Sequence, residues 1–230
     1  MGVLAMSEYL PTLEVVTDEA PRHAIIWLHG LGADGSDFEP VVPHLGLPAV
    51  PGIRFVFPHA PAIPVTCNGG YVMPAWYDIV SLEPLNRTID ETGILRSRDA
   101  VRALIARENA RGIPSELVFL AGFSQGGAVA YLTALTHRER LAGVIALSTY
   151  LPTPGIAFDE ASEENRKIPI FAAHGDEDDV VSPMLGRQAR DLLRQHGYDP
   201  AWKEYPMPHS VCLEEIVDIG NWLRPQLTQP

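Results

Sequence analysis

The stretch LVFLAGFSQGGAVAYLTAL, residues 117–135, decides the fold. An apolar run of strand length leads into the pentapeptide 122–126, and a helical pattern follows it. In a G-x-S-x-G motif between a strand and a helix, the serine lies on a sharp turn, where the flanking glycines avoid side-chain clashes. The motif predicts that Ser124 is an exposed nucleophile at the N-terminus of a helix, whose N–H groups suit an oxyanion. The alternative is a plain glycine- and serine-rich turn.

The rest of the chain continues this alternation of strand and helix. Continuous apolar runs of strand length are typical of parallel strands buried on both faces. They predict strands at 24–28, 54–57, 117–121, 144–147, 168–172 and 201–205, and helical periodicity predicts helices at 91–111, 125–136, 186–196 and 211–223. We therefore expect an α/β fold, with a mostly parallel central sheet and helices on both faces.

Composition and charge exclude several classes of protein. The 230 residues are 46% apolar and 20% charged, which excludes a disordered chain or a coiled coil. The net charge of −12 argues against nucleic acid as a partner. No apolar run approaches the roughly 18 residues of a membrane-spanning helix, and the first residues do not resemble a secretory signal. We expect a cytoplasmic protein without stable membrane insertion, in which Cys67 and Cys212 are free thiols.

Two longer segments connect the predicted elements. Residues 58–84 are rich in proline and glycine and carry large apolar side chains, and connections of this length are usually functional. We predict that this segment covers the site around Ser124. Residues 153–167 are rich in Glu and Asp, and we predict a solvated surface loop there.

A nucleophilic serine needs a base, and His209 is the best placed of the eight histidines. It follows the last predicted strand in a short loop that opens onto the final helix, where the base of such a site is expected. His29 and His174 each precede a glycine at the end of an apolar strand. The alternative for His209 is a structural histidine in a loop.

The acid is expected between Ser124 and His209, just after a strand. The segment IPIFAAHGDEDDVVSP offers Asp176, Asp178 and Asp179. A carboxylate there would accept the Nδ1–H of His209 and stabilise the imidazolium that forms when Ser124 is deprotonated. The cluster could instead hold a divalent cation, but then His209 would lack an orienting partner. We predict no metal and no cofactor.

Six motifs in order give the chain a wider resemblance. They are LHGLGADG (28–35), GGYVMPAWYDI (69–79), GFSQGG (122–127), LSTYLP (147–152), HGDEDDVV (174–181) and MPHSVCLEEI (207–216). With them the chain resembles the carboxylesterase, lysophospholipase and acyl-protein thioesterase family of the α/β-hydrolases, close to the small bacterial carboxylesterases. The resemblance spans roughly residues 24–224. It implies a single α/β-hydrolase domain over residues 1–230, without a cap domain, in which residues 1–20 are an N-terminal extension or an edge strand.

The resemblance also implies roles for individual residues. The family pattern around the acid selects Asp178, with Asp179 as the second choice and Asp176 as the third. The family's oxyanion hole implies the backbone N–H groups of Leu31 and Gln125, and His29 then shapes its loop. We expect Met73, Trp76 and Val181 to line the substrate site, although Trp76 equally suits the core.

The expected activity is that of a serine carboxylesterase with the triad Ser124, His209 and Asp178, acting on esters of short to medium acyl chains. The alternatives are an acyl-protein thioesterase, a lysophospholipase and a non-catalytic ligand-binding protein of the same fold. The expected partner is a small-molecule ester, and a homodimer is possible.

Overall fold

A computed structural model of the chain describes residues 9–82 and 87–228, with residue 82 described by its backbone alone. The strands are β1 (Thr12–Val16), β2 (His23–Leu28), β3 (Ile53–Pro58), β4 (Ala62–Val65), β5 (Tyr71–Pro74), β6 (Ile79–Leu82), β7 (Arg87–Ile89), β8 (Val118–Phe123), β9 (Gly143–Leu147), β10 (Ile170–Gly175) and β11 (Pro200–Tyr205). The α-helices are α1 (Glu91–Ala110), α2 (Gln125–Thr136), α3 (Pro154–Asp159), α4 (Pro183–Gln195) and α5 (Leu213–Leu227), and a 3-10 helix covers Glu39–Leu45.

Seven strands form the central sheet, in the order β1-β3-β2-β8-β9-β10-β11. The edge strand β1 is antiparallel to β3, and the other neighbouring pairs are parallel. The predicted mostly parallel sheet is therefore confirmed. The six predicted strands and four predicted helices are all present, with ends shifted by four residues or fewer. The N-terminal segment supplies the edge strand β1, while residues 1–8 lie outside the described residues.

Both faces of the sheet are covered, because its central strands are apolar at successive positions. In β2, Ala24, Ile26 and Leu28 belong to one core cluster, and Ile25 and Trp27 belong to the other. Helices α1, α2, α3 and α4 pack in the first cluster, whereas α5 and the 3-10 helix pack in the second. This arrangement places helices on both faces, as predicted, and buries β2 completely.

The parallel strands bring several predicted site residues to one edge. The carboxyl ends of neighbouring parallel strands meet at the same edge, which is where α/β proteins bind ligands. Leu31 follows β2, Ser124 follows β8, Asp178 follows β10 and His209 follows β11. The strand order then places β8 beside β2, and β10 beside β11.

The segment 58–84 is more ordered than its prediction as a covering loop. Strands β4 and β5 form an antiparallel hairpin, and β6 pairs with β7 in a second one. Between these hairpins the side chains of Trp76 and Tyr77 are buried in the core. The segment is therefore a folded part of the domain, of which residues 83 and 84 lie outside the described residues.

The prediction of a solvated loop at residues 153–167 is wrong in part. Ala157 in α3 is buried in the core, and Asn165 is fully buried. The Asn165 amide donates to the carbonyls of His137 and Glu139 and accepts from the N–H of Leu141. One amide side chain thus satisfies three backbone groups. Asn165 is therefore a structural residue, although the segment around it is rich in Glu and Asp.

Two other expectations concern the chain as a whole. Among residues 9–82 and 87–228, none of the helices combines the length and the apolar character of a membrane span. Cys67 and Cys212 are free thiols, as predicted.

Candidate active site

Ser124 lies on a strained turn between β8 and α2. Its φ of 53° and ψ of −120° are outside the regions that residues with side chains usually adopt. The turn is held because the Ser124 N–H donates to the carbonyl of Leu147 on β9, at 2.8 Å. A Cβ at Gly122 would collide with the backbone of Gly126, and a Cβ at Gly126 would collide with the carbonyls of Leu28 and His29. Both motif glycines are therefore required for this geometry.

His209 links Ser124 to the carboxylate of Asp178. Its Nε2 lies 2.9 Å from Ser124 Oγ, and its Nδ1 lies 2.7 Å from Asp178 Oδ2. The His209 ring also packs on the Phe123 ring, with centroids 4.7 Å apart. With the proton on Nδ1, the bare Nε2 is placed to accept the proton of the serine hydroxyl.

The carboxylate of Asp178 accepts hydrogen bonds on both oxygens. Its Oδ1 accepts from the N–H groups of Val180 and Val181, at 2.9 and 2.8 Å. Its Oδ2 accepts from His209 and lies 3.3 Å from His174 Nε2. Burial would raise the pKa of this carboxyl, but the hydrogen bonds from His174, His209 and the Val181 N–H hold it well below its usual range. Asp178 therefore stays ionised beside His209.

The three candidate carboxylates differ clearly in their surroundings. Asp178 is 5% exposed and contacts His209, whereas Asp176 and Asp179 are exposed to solvent. Among the described residues, no three His, Cys, Asp or Glu side chains are grouped as metal ligands would be.

Backbone N–H groups of Leu31 and Gln125 flank Ser124. Gln125 is the first residue of α2, so its N–H has no acceptor within the helix. The N–H of Leu31 donates to no backbone acceptor in the part of the chain that the structure describes. A Cβ at the neighbouring Gly30 would lie 3.6 Å from Ser124 Cβ, which shows how closely this loop approaches the serine. Both donors are thus free to bind an oxyanion.

The side chain of Gln125 anchors this side of the site. It is 2% exposed; its Oε1 accepts from the N–H of Trp76 and its Nε2 donates to the carbonyl of Tyr77, each at 2.7 Å. Trp76 Nε1 in turn donates to the carbonyl of His29, at 2.9 Å. The segment between the two hairpins is therefore hydrogen-bonded to Gln125 at the start of α2 and to the loop that carries Leu31.

His29 has the loop-shaping contacts that were expected of it. The Ala60 N–H donates to its Nε2 at 3.1 Å, and its Nδ1 lies 2.7 Å from the carbonyl of Gly30. These partners fix a tautomer with the proton on Nδ1. Burial lowers the pKa of His29, against a smaller rise from the Gly30 hydrogen bond.

The three residues expected to line the substrate site differ in exposure. Met73 is partly exposed, and its sulfur would lie 3.8 Å from a Cβ at Gly32 of the loop that carries Leu31. Trp76 is 2% exposed and Val181 is fully buried, so neither offers surface to a substrate in this conformation. Trp76 lies in the core, and Val181 is corrected to a residue that orients Asp178 through its backbone.

Sequence reasoning missed three residues that contact Ser124, Asp178 or the segment that holds Asp178. The Thr149 hydroxyl donates to the carbonyl of Ser124 at 2.7 Å, and the Arg87 guanidinium donates to the carbonyl of Val180. His174 Nε2 lies 2.8 Å from the carbonyl of Val181 and also faces Asp178. Thr149 and His174 lie within the motifs LSTYLP and HGDEDDVV. Membership of these motifs is the sequence feature that could have identified them as site residues.

Comparisons with known proteins cover most of the chain. Residues 11–227 match the family model described as phospholipase/carboxylesterase. The chain is 42% identical over 217 residues to acyl-protein thioesterase 1 of Neurospora crassa, covering 90% of this chain and 88% of the relative. It is 36% identical over 208 residues to a probable carboxylesterase of Oryza sativa subsp. japonica, covering 90% and 78%. The crystal structure of Arabidopsis thaliana SOBER1 superposes with a TM-score of 0.84 at 36% identity, covering 90% of this chain and all of that one.

Proposed function

Because this chain belongs to the phospholipase/carboxylesterase family of ester hydrolases, we propose that it cleaves carboxylic esters and thioesters through an acyl-enzyme on Ser124. One observation carries the proposal. A continuous line of hydrogen bonds runs from Asp178 Oδ2 to His209 at 2.7 Å and from His209 to Ser124 Oγ at 2.9 Å. A serine so placed is activated as a nucleophile by the adjacent base.

In the first step, Ser124 Oγ attacks the acyl carbon while His209 Nε2 takes the hydroxyl proton. The carbonyl oxygen gains the negative charge, which the N–H groups of Leu31 and Gln125 stabilise, each by roughly 3 kcal/mol. His209 is then an imidazolium paired with Asp178. It gives its Nε2 proton to the leaving alcohol or thiol as the bond to the acyl carbon breaks.

In the second step, water replaces the leaving group. His209 Nε2 takes a proton from water as the water oxygen attacks the acyl-enzyme, and the same two N–H groups hold the second oxyanion. Collapse of this intermediate breaks the bond to Ser124 Oγ. The proton on His209 returns to that oxygen, and the carboxylic acid leaves.

Labelling with a fluorophosphonate probe, together with p-nitrophenyl butyrate hydrolysis, tests the nucleophile. We expect Ser124→Ala to lose labelling and to lower turnover by about 10⁴- to 10⁶-fold. A Ser124→Ala protein that is labelled or turns over as fast as the wild type would overturn the proposal. Binding of the ester without turnover by the wild type would instead favour the non-catalytic alternative.

A series of p-nitrophenyl esters tests the proposed acyl length. Residues 62–82 and 87–89 form two hairpins, and Met73 offers partly exposed apolar surface beside the loop that carries Leu31. These features support short to medium acyl chains. Activity that rises steadily from acetate to palmitate would contradict this choice.

Thioesters are the second candidate substrate, because relatives at 35–42% identity are named acyl-protein thioesterase 1. The N–H groups of Leu31 and Gln125 would bind the oxyanion of an ester and of a thioester alike, and His209 can protonate either an alkoxide or a thiolate. These groups therefore do not select between the two substrates. Matched octanoyl esters and octanoyl thioesters of the same small leaving group would rank the two activities. A palmitoylated peptide compared with a lysophospholipid would then rank the acyl-protein thioesterase and lysophospholipase alternatives.

A further inference from the structure

A second histidine lies behind the acid of the triad. His174, near the end of β10, is fully buried and is not in contact with Ser124 or His209 through any described hydrogen bond. Its Nε2 lies 2.8 Å from the carbonyl of Val181 and 3.3 Å from Asp178 Oδ2. Because a carbonyl oxygen only accepts, Nε2 must carry the proton, and this N–H faces both acceptors.

The other nitrogen of His174 is enclosed without a partner. His174 Nδ1 is buried and has no hydrogen bond within the described residues. It faces Gly186 of α4, where a Cβ would collide with Nδ1 and with the Trp202 ring. A proton on Nδ1 would therefore have no acceptor, so the packing of α4 against β10 fixes the tautomer with the proton on Nε2.

We propose that His174 is a positioning residue for hydrolysis: its fixed Nε2–H orients the Asp178 carboxylate and limits how tightly Asp178 holds the His209 imidazolium. The inference rests on the proposed function and deepens it. Without His174, Asp178 Oδ2 would have His209 as its one described donor, and the carbonyl of Val181 would lose its partner. Since Val181 N–H also holds Asp178 Oδ1, a shift of this loop would move both carboxylate oxygens.

The charge on Asp178 sets the direction of the effect. A hydrogen bond to a carboxylate stabilises the charged form and makes it a weaker base. Asp178 without the donor from His174 would attract the Nδ1 proton of His209 more strongly and would stabilise the imidazolium more. The acid limb of the kcat/KM profile would then lie at higher pH, and turnover would fall because the carboxylate is less well oriented.

Three variants test the proposal, measured with p-nitrophenyl butyrate across pH. We expect His174→Leu to lower kcat by about 10- to 100-fold with KM nearly unchanged, and to move the acid limb upward by roughly half a pH unit. His174→Gln should restore much of both, because its side-chain N–H₂ reaches the place of Nε2–H. Gly186→Ala keeps the histidine at position 174, but the added Cβ would displace its ring from the position that faces Asp178. This variant should therefore reproduce the effects of His174→Leu.

His23→Leu is the matched control. His23 is also a buried strand histidine, 4% exposed on β2, but neither ring nitrogen has a hydrogen-bond partner among the described residues. We expect unchanged kinetics from this control. The downfield NMR signal of the His209 Nδ1–H should shift in His174→Leu and stay in place in His23→Leu.

The outcomes separate the two proposals. If His174→Leu keeps the wild-type kcat and pH profile, or if His174→Gln is no better than His174→Leu, the positioning role is wrong while the proposed function stands. If His174→Leu does not fold, Gly186→Ala takes its place: the wild-type kcat and pH profile in Gly186→Ala would overturn the positioning role. If Ser124→Ala keeps full activity, the proposed function itself has failed.

Discussion

The two sides of Ser124 are held by hydrogen bonds of different kinds. On the acid side, the ionised Asp178 accepts from His209, His174 and two backbone N–H groups. On the oxyanion side, neutral groups of Gln125, Trp76 and the backbone bond to one another. Hydrogen bonds to an ion are roughly twice as strong as those between neutral groups.

This difference predicts how substitutions on each side affect turnover and stability. The acid side holds a charge that is used in the reaction, because Asp178 stabilises the imidazolium of His209. Losing that charge should therefore lower turnover by several orders of magnitude, and it should also lower stability, because the buried carboxylate accepts hydrogen bonds on both oxygens. The oxyanion side holds only the position of two backbone donors. Losing a bond there should lower stability and turnover together.

The sharpest test of the acid side is Asp178→Asn. The amide keeps the shape of the carboxylate but carries no charge, and its NH₂ group favours the wrong tautomer of His209. We expect kcat to fall by about 10⁴-fold. The midpoint of thermal unfolding should fall as well, because the folded state loses a buried carboxylate whose pKa is held well below its usual range. Hydrolysis of p-nitrophenyl butyrate and thermal unfolding measure the two quantities.

Asp179→Asn is the control for that substitution. Asp179 is the next residue in the chain and is exposed, so the same chemical change there should leave kcat within about twofold, as most surface substitutions do. A large loss in Asp179→Asn with an active Asp178→Asn would reassign the acid to Asp179.

Gln125→Ala tests the oxyanion side. It keeps the backbone N–H of residue 125 but leaves the N–H of Trp76 and the carbonyl of Tyr77 without partners in the core. We expect a loss of about 1–3 kcal/mol in the free energy of unfolding, and a 10- to 100-fold loss in kcat because the donors are misplaced. Full activity in a destabilised protein would show that this bond serves the fold alone.

The sequence predicted those parts of the fold and site that depend on local pattern. Apolar runs marked the buried strands, and the motif around Ser124 marked the turn. Chain order gave His209, because the base in such folds follows the last strand. The choice of Asp178 required a family pattern, because three aspartates lie within four residues.

The missed parts depend on contacts between distant segments. Trp76 bonds to Gln125, which is 49 residues away, and Val181 is buried by packing that no local pattern announces. The hairpins in residues 62–89 carry prolines and glycines that resemble a loop. Asn165 looked solvated because charged residues surround it, although its amide binds three backbone groups.

Glu215 sharpens the comparison, because it is a buried carboxyl without the donors that Asp178 has. It lies in α5, is fully buried, and neither oxygen has a hydrogen-bond partner among the described residues. Burial raises its pKa from 4.5 to about 8. The folded state therefore holds this proton at a pH where the unfolded chain has lost it.

The linkage predicts the effect of Glu215→Gln on stability. Because the pKa is raised on folding, the stabilising contribution of Glu215 is fully present below about pH 4.5 and is lost as the pH rises to about 8. Relative to the wild type, the free energy of unfolding of the variant should rise by up to about 1.4 kcal/mol per pH unit between pH 4.5 and 8. Urea unfolding at pH 5, 6.5 and 8 measures the difference.

Glu214→Gln is the matched control for Glu215→Gln. Glu214 is the preceding residue and is exposed, so its replacement should give a stability difference from wild type that changes little with pH. A flat difference for Glu215→Gln as well would mean that the buried carboxyl finds solvent or a donor in solution. Glu215 and Asp178 would then differ in the catalytic use of the Asp178 charge and not in the pKa that burial gives them.

The smallest expected effect concerns Met73, the partly exposed apolar residue on the oxyanion side. If its side chain packs against the acyl group, Met73→Ala removes contact that grows with chain length. Each buried methylene contributes about 0.8 kcal/mol, so kcat/KM for the octanoate should fall by about fourfold or more relative to the acetate. Val72→Ala is the control, because Val72 is the neighbouring residue of β5, is 58% exposed and points to the opposite face of the strand. Equal losses of kcat/KM on both esters would show that Met73 supports the loop that carries Leu31 and does not contact the acyl chain. The oxyanion side would then contribute to turnover through the placement of its backbone donors and not through acyl-chain selectivity.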